Sequence, residues 1–255
     1  MYHDVSDRSS SRPFRKFVVS PSLFNEHLSA LAGAGFQTER ASALADPGSL
    51  RASPAVVLTF DDGFASFSDF ALPELVRFDM TATVFVPTAS IGDRSRWLRP
   101  LGEGGRRILD WIGLKDALDQ GIEIGAHGHR HVELDVLDPQ ELDHDLSECR
   151  SLLQDGLGTD ITSLAYPYGY HHRSVRSAAR RAGFQTACAV GYGMHETSAD
   201  PMCIRRFLIG PDTSAEDLLG IVEVGRTTLA ESVRIGSRPV WRTVRRCRRA
   251  LARRT

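Results

Sequence analysis

Short apolar runs alternate with amphipathic stretches along most of this 255-residue chain. Ala55-Val-Val-Leu-Thr-Phe60 is a brief, β-branched run and reads as a buried strand. Similar runs predict strands near 81–86, 122–126, 162–166, 185–190 and 203–209. Helical patterns fall between them, near 67–78, 107–120, 138–155 and 172–182. Such alternation produces parallel strands covered by helices, an α/β architecture. Several chemistry-bearing residues lie just past predicted strands, at the carboxyl ends where barrel active sites are built.

Two of these places stand out. Asp61-Asp62-Gly63 follows the first core strand, and Gly125-Ala-His127-Gly-His129-Arg-His131 follows the strand at 122–126. A core strand fixes the Cα positions while the side chains emerge into the loop. Asp is seldom buried unless paired or bound to a cation. Two adjacent carboxylates at a buried strand end therefore call for a metal, a proton or an Arg between them. His127 and His131 converge if the segment makes one helical turn, since residues four apart share a face; His129 then points elsewhere. Two imidazoles and one carboxylate suit zinc and its first-row neighbours, with positions left over for water and substrate. Each half alone is a common surface turn; the pairing, each half at the end of an apolar strand, is what points to a metal site.

Thr59-Phe-Asp-Asp-Gly63 followed by His127-x-x-x-His131 resembles the polysaccharide deacetylases, the NodB-homology group of carbohydrate esterase family four. The likeness extends over about residues 1–220. Met1-Tyr2-His3 is similar to the end of the family's first strand, and 19–28 to its first helix. The stretch 82–86 is similar to the strand after the Asp-Asp turn. Ala165-Tyr-Pro-Tyr-Gly169, with the helix around 177–184, is similar to the third motif. The resemblance implies a distorted (β/α)7 barrel and a metal-dependent hydrolase removing N-acetyl groups from an N-acetylated sugar, polysaccharide or lipid-linked glycan precursor. It implies Asp61 as catalytic base toward the attacking water. Asp62, His127 and His131 become ligands of a divalent metal, Zn²⁺ foremost with Co²⁺ or Ni²⁺ as alternatives. Tyr168 becomes the residue whose backbone N–H holds the oxyanion, a role its neighbour Pro167 has no N–H to fill.

The chain departs from the family pattern in three places. Ala165 stands where many members carry an Arg that pairs with the catalytic base, so Asp61 needs another partner, with Arg205 and Arg206 as candidates. The family's tryptophan-bearing fourth motif is not visible in 186–192. A late Leu-x-His is replaced by Leu208-Ile-Gly210, which leaves the general acid to be found. His195, in the loop 191–195, is the first candidate for that acid; His3 is second and the pair His171-His172 third. The long segment 88–106 is read as a substrate-facing lid, with Trp97 stacking on a sugar or covering the barrel rim. The departures also keep two rivals open: an amide or imide hydrolase acting on a small molecule, and a glycan-binding relative without turnover.

Composition adds limits. With 42% hydrophobic residues the chain can bury one sizeable core, read as one deacetylase-like domain over 1–232 and a basic tail over 233–255. No run of eighteen apolar residues and no charged-then-apolar leader is present, so a cytoplasmic enzyme is expected, with an upstream segment left open. Cys149, Cys188, Cys203 and Cys247 show no metal or disulfide spacing and fit a reducing compartment. The net charge of −1 hides an asymmetry: residues 234–255 carry nine Arg and no acid, which leaves −10 on the rest. Peripheral membrane contact through an amphipathic tail is one expectation, and a solvated tail or one folded back on the acidic body is the other. Nucleic acid is not expected as a partner, because the body is acidic and no base-stacking motif accompanies the Arg cluster.

Overall fold

The computed structural model describes residues 1–46, 48, 54–196 and 198–225. The basic tail and the expectations attached to it lie outside the described residues, as does the domain boundary at 232. The elements in chain order are β1 (Asp4–Val5), β2 (Val18–Val19), α1 (Pro21–Gly33), β3 (Gln37–Glu39) and β4 (Ala55–Val57). Next come β5 (Thr59–Phe60), α2 (Leu72–Arg77), β6 (Thr83–Val86), α3 (Trp111–Asp119) and β7 (Glu123–Ala126). Then follow α4 (Pro139–Leu157), β8 (Ser163–Ala165), α5 (Arg173–Arg181), β9 (Thr186–Cys188) and α6 (Ala215–Val224).

Strands β5 to β9 form one parallel sheet in sequence order. Two irregular staves curl it toward closure. Residues 204–209 follow β9, where Ile204 pairs in parallel with Cys188. Residues 1–3 run between that segment and β5. Ile209 donates its N–H to Met1 O at 3.0 Å, Tyr2 to Thr59 O at 2.7 Å, and Asp61 to Tyr2 O at 3.1 Å. With β5 to β9 these make the seven staves of a distorted α/β barrel, as the resemblance implied. This ring carries His3 to the same end of the barrel as Asp61.

The helices are cut where the sequence supplies caps. Asp138 and Glu141 form a capping box around Pro139, and Gly158 ends α4 at φ 67°. Two predicted helices begin differently. Arg107 and Ile108 are drawn into bridges with Arg94 and Phe64, so α3 starts only after Asp110, whose side chain accepts the Gly113 N–H at 2.9 Å. The segment 67–78 opens as a wide π-type turn, Phe67–Ala71, before α2 with Pro73 in its first turn.

Side chains two apart on a strand share a face, and the barrel interior is accordingly layered. At the amino ends of the strands, Thr83 and Ser163 donate to Glu123 at 2.7 and 2.6 Å, and Thr186 donates to Ser163 at 3.0 Å. The turn Ala41–Ala45 covers this end, with Ala41 N–H on Thr83 Oγ1 at 2.9 Å. One layer up, Phe85, Ala165, Cys188 and Ile204 form a small apolar cluster with Ala41. Alternate residues Val84, Val86, Ile124, Leu164 and Ala187 belong instead to the larger core beneath the helices.

Gly125 is what lets Phe85 fill that middle layer. A methyl group there would stand 2.6 Å from two Phe85 ring carbons and 3.1 Å from Ser163 O. Gly125→Ala is therefore expected to overpack the barrel and lower stability by about 1–3 kcal/mol, read as a lower midpoint in chemical denaturation.

Candidate metal centre

Continuing the same two-residue period, Asp61 follows Thr59, His127 follows Gly125 and Arg206 follows Ile204, so all three rise into the carboxyl-end layer. Asp61, Asp62, His127, His131 and Arg206 are all buried. The chain turns sharply after Phe60: Asp62 has φ 73° and Gly63 φ 62°. Any side chain at Gly63 would come within 2.9 Å of Val86, so only glycine allows the turn to sit this close to β6.

The two aspartates are held in different ways. Arg206 grips Asp61 with both arms, Nη1 to Oδ1 at 2.7 Å and Nη2 to Oδ2 at 2.8 Å. The same guanidinium donates to Thr59 Oγ1 at 3.0 Å and to Ala189 O at 3.2 Å. Burial pushes the Asp61 carboxyl up, but Arg206, His127 and His3 outweigh it, and its pKa lies below the ordinary 3.8. Of the two arginines expected as partners, Arg206 takes the role, and Arg205 beside it is exposed. At Ala165 the missing arginine leaves a methyl in the apolar layer, while the Ala165 carbonyl accepts from His127 Nδ1 at 2.8 Å.

That bond fixes the His127 tautomer. Nδ1 carries the hydrogen, and the Nε2 lone pair faces Asp62 Oδ1 at 3.4 Å. His131 Nε2 lies 2.9 Å from the same oxygen. Among the described residues, Asp62, His127 and His131 are the group whose ligand atoms lie within 4.8 Å of one another. Two imidazole nitrogens aimed at one carboxylate oxygen, all buried, fit a divalent cation. Burial pushes Asp62 up, yet the two histidines hold it far below the ordinary range. Burial alone would lower both imidazoles; His127 is nonetheless raised, because its protonated form can donate from Nε2 to Asp62 and is favoured by the two negative charges, whereas at His131 burial wins.

The histidines converge, but not through a helical turn. Residues 127–131 form a bend in which Gly128 has φ 70° and His131 φ 51°. The bend is clamped from α4 by Asp145, a fully buried carboxylate that sequence patterning did not single out. Its oxygens accept the His129 N–H at 2.8 Å and Arg130 Nε at 3.0 Å. His129 turns away as expected, its Nδ1 2.8 Å from Thr88 Oγ1. Tyr168 stands at φ 60° on the turn Pro167–Gly169, its ring edge-on to His131 at 4.8 Å. Gly169 and Tyr170 donate their N–H groups to Tyr166 O and Pro167 O, which leaves the Tyr168 N–H as the turn's remaining donor.

The first candidate for the general acid is not brought to this cluster. His195 lines a largely apolar cavity with Leu44, Met194 and Val222 that reaches Thr59 and Arg206 on its far wall, and the charges acting on it are Arg205, Asp200 and Glu196, not Asp61 or Asp62. His171 stacks on Tyr166 at 4.9 Å, and His172 Nδ1 caps α5 through the Ser174 N–H at 3.2 Å. His3 is the histidine that feels Asp62, Asp61, Arg206 and His127 together; burial lowers its pKa, and its Nδ1 is buried without a hydrogen-bond partner among the described residues.

The family model for polysaccharide deacetylases matches residues 50–187, more than half of the chain. The chain belongs to the polysaccharide deacetylase family. This deacetylase-family chain is 25% identical over 226 residues to YxkH of Bacillus subtilis, covering 88% of this chain and 75% of that protein. Its fold is shared with the Streptococcus pyogenes deacetylase PplD, solved in complex with acetate, at TM-score 0.75 and 24% identity over 88% of this chain and 96% of that one. It is shared also with BC0361, a polysaccharide deacetylase of Bacillus cereus, at TM-score 0.74 and 18% identity over 88% and 67%.

Removing one partner of the buried Arg206–Asp61 pair leaves the other uncompensated. Arg206→Met is expected to cost about 3–5 kcal/mol, and Arg206→Met combined with Asp61→Asn to cost clearly less, as chemical denaturation would show. Because the folded pKa of Asp61 is depressed, its contribution is complete above pH 3.8 and fades as pH falls through the lowered value.

Proposed function

We propose that this protein hydrolyses the acetamido group of an N-acetylated sugar, releasing acetate and a free amine, on a glycan chain or a lipid-linked glycan precursor. The observation that carries the reading is the pair of adjacent buried aspartates with separate partners: Asp62 with His127 and His131, Asp61 with Arg206. A divalent cation held by Asp62, His127 and His131 would supply Lewis acidity toward water and the amide carbonyl; the donor set favours Zn²⁺, with Co²⁺ and Ni²⁺ as alternatives.

The chain's own residues do the rest. Asp61, ionised and locked by Arg206, accepts the proton of the attacking water. The Tyr168 N–H faces the oxygen that gains negative charge as the carbonyl becomes tetrahedral. His3 delivers a proton to the departing sugar nitrogen, in place of the late histidine that the chain lacks. Its position supports this role, because Asp61, Asp62 and His127 all lie close enough for their charges to act on its imidazole. With His3 available, the motive for a binding-only protein weakens.

Acetate release from N-acetylglucosamine oligomers tests the reading. Asp61→Asn is expected to lower kcat by about 10²–10⁴-fold while metal stays bound, and His127→Ala to lose the metal. His3→Ala should lower kcat at least about tenfold, and His195→Ala should stay within about twofold of the parent. Full activity in Asp61→Asn, or hydrolysis confined to cyclic imides, would reject the proposal.

A further inference from the structure

We infer that Trp97 is a positioning residue for His131, setting the pitch of its imidazole at the metal centre. The inference rests on the reading of Asp62, His127 and His131 as ligands. The two histidines are oriented by different means. His127 is tied through Nδ1 to the Ala165 carbonyl at 2.8 Å, which leaves its ring one way to face. His131 has no such tether: its Nδ1 is buried without a hydrogen-bond partner among the described residues. A ligand imidazole ordinarily gives that N–H to a second group that holds the ring. Here an indole lies against the ring. Trp97 stacks on His131 with centroids 4.4 Å apart and planes 23° from parallel, and the Tyr168 ring meets it edge-on.

The backbone makes the need greater. His131 stands at φ 51°, a left-handed conformation that a non-glycine residue keeps only when its surroundings impose it. Trp97 is well supported to impose it. Ser95 donates its hydroxyl to Glu103 O at 2.8 Å and its N–H to Arg106 O at 2.9 Å, and Leu98 beside the indole is buried. Arg106 is itself buried in ion pairs with Glu103 and with Asp4, the residue after His3. One network thus ties the backbone next to Trp97 to Asp4, the residue that follows His3. The Trp97 Nε1–H has no hydrogen-bond partner among the described residues, so stacking is the specific contact its ring makes with the site. The segment 88–106 therefore acts less as a lid over substrate than as a wall behind one ligand.

The test compares the parent with Trp97→Ala and Trp97→Phe in the full chain. Metal affinity is read by competition with a chromogenic chelator, geometry by the visible absorption of the Co²⁺-loaded protein, and turnover by acetate release. Trp97→Ala should weaken metal binding about tenfold or more and alter the Co²⁺ bands, with KM for the oligosaccharide unchanged at saturating metal. Trp97→Phe, which keeps an aromatic face, should recover most of the affinity. Unchanged metal affinity and Co²⁺ spectrum in Trp97→Ala with a raised KM would make the indole a substrate platform and overturn the inference. Equal defects in both variants would overturn it too, as loss of packing rather than of a stacked face. A parent protein that binds no metal would instead overturn the reading of the centre itself.

Discussion

Two carboxylates on consecutive residues cannot both be buried as anions unless each has its own positive partner. Everything at the carboxyl end of this barrel follows from that constraint. The electrostatic penalty of a buried, unpaired carboxylate is several kcal/mol, and a like charge next door adds to it. Asp61 is answered by a bidentate arginine, with every carboxylate oxygen engaged. Asp62 is answered by two imidazole nitrogens converging on one oxygen. The left-handed turn at Asp62 sends the two side chains to different partners. One acid is thereby left against an arginine and the other against two imidazoles.

That separation depends on staves that are distant in sequence. Arg206 comes from the irregular stave 204–209 and His3 from the stave at the chain's start, and the two staves are joined through Met1. Closing the sheet with these residues brings the counter-charge of Asp61 and the imidazole of His3 to the same rim as Asp62, His127 and His131. The interior below is organised to hold that rim steady. A hydroxyl–carboxylate layer saturates the amino-terminal end, and a small apolar layer isolates it from the charges above. The buried ion pairs of Arg106, and the buried Asp145 reached by the exposed Arg130, then pin the loops, where they fix geometry more than they add stability.

Five non-glycine residues among those described have positive φ, and three of them are Asp62, His131 and Tyr168. Strain gathered at the residues that would meet metal and substrate is the expected mark of a preorganised site. The aromatic contacts around His131 belong to the same scheme, because a strained residue needs neighbours that leave it nowhere else to go.

Much of this was legible from local pattern. Strand–helix alternation implied the α/β class, and residues placed just after apolar runs marked the carboxyl-end rim, because a strand's period of two and its exit point are local properties. The pairing of Asp61-Asp62 with His127 and His131 was legible for the same reason. The tertiary structure decided the rest. Arg206 was distinguished from Arg205 by which face of an irregular stave points inward. His3, and not His195, came to lie beside Asp61 and Asp62 because ring closure, a non-local event, sets the first residues beside β5. The bend at 127–131 replaced a helical turn because Asp145, fourteen or more residues further on, holds it from another element. Trp97 acquired a partner only when the loop 88–106 was folded back onto the rim. Residue type and spacing declare what chemistry a chain can carry; which groups finally touch is settled by hydrogen bonds and packing between segments that the sequence keeps far apart.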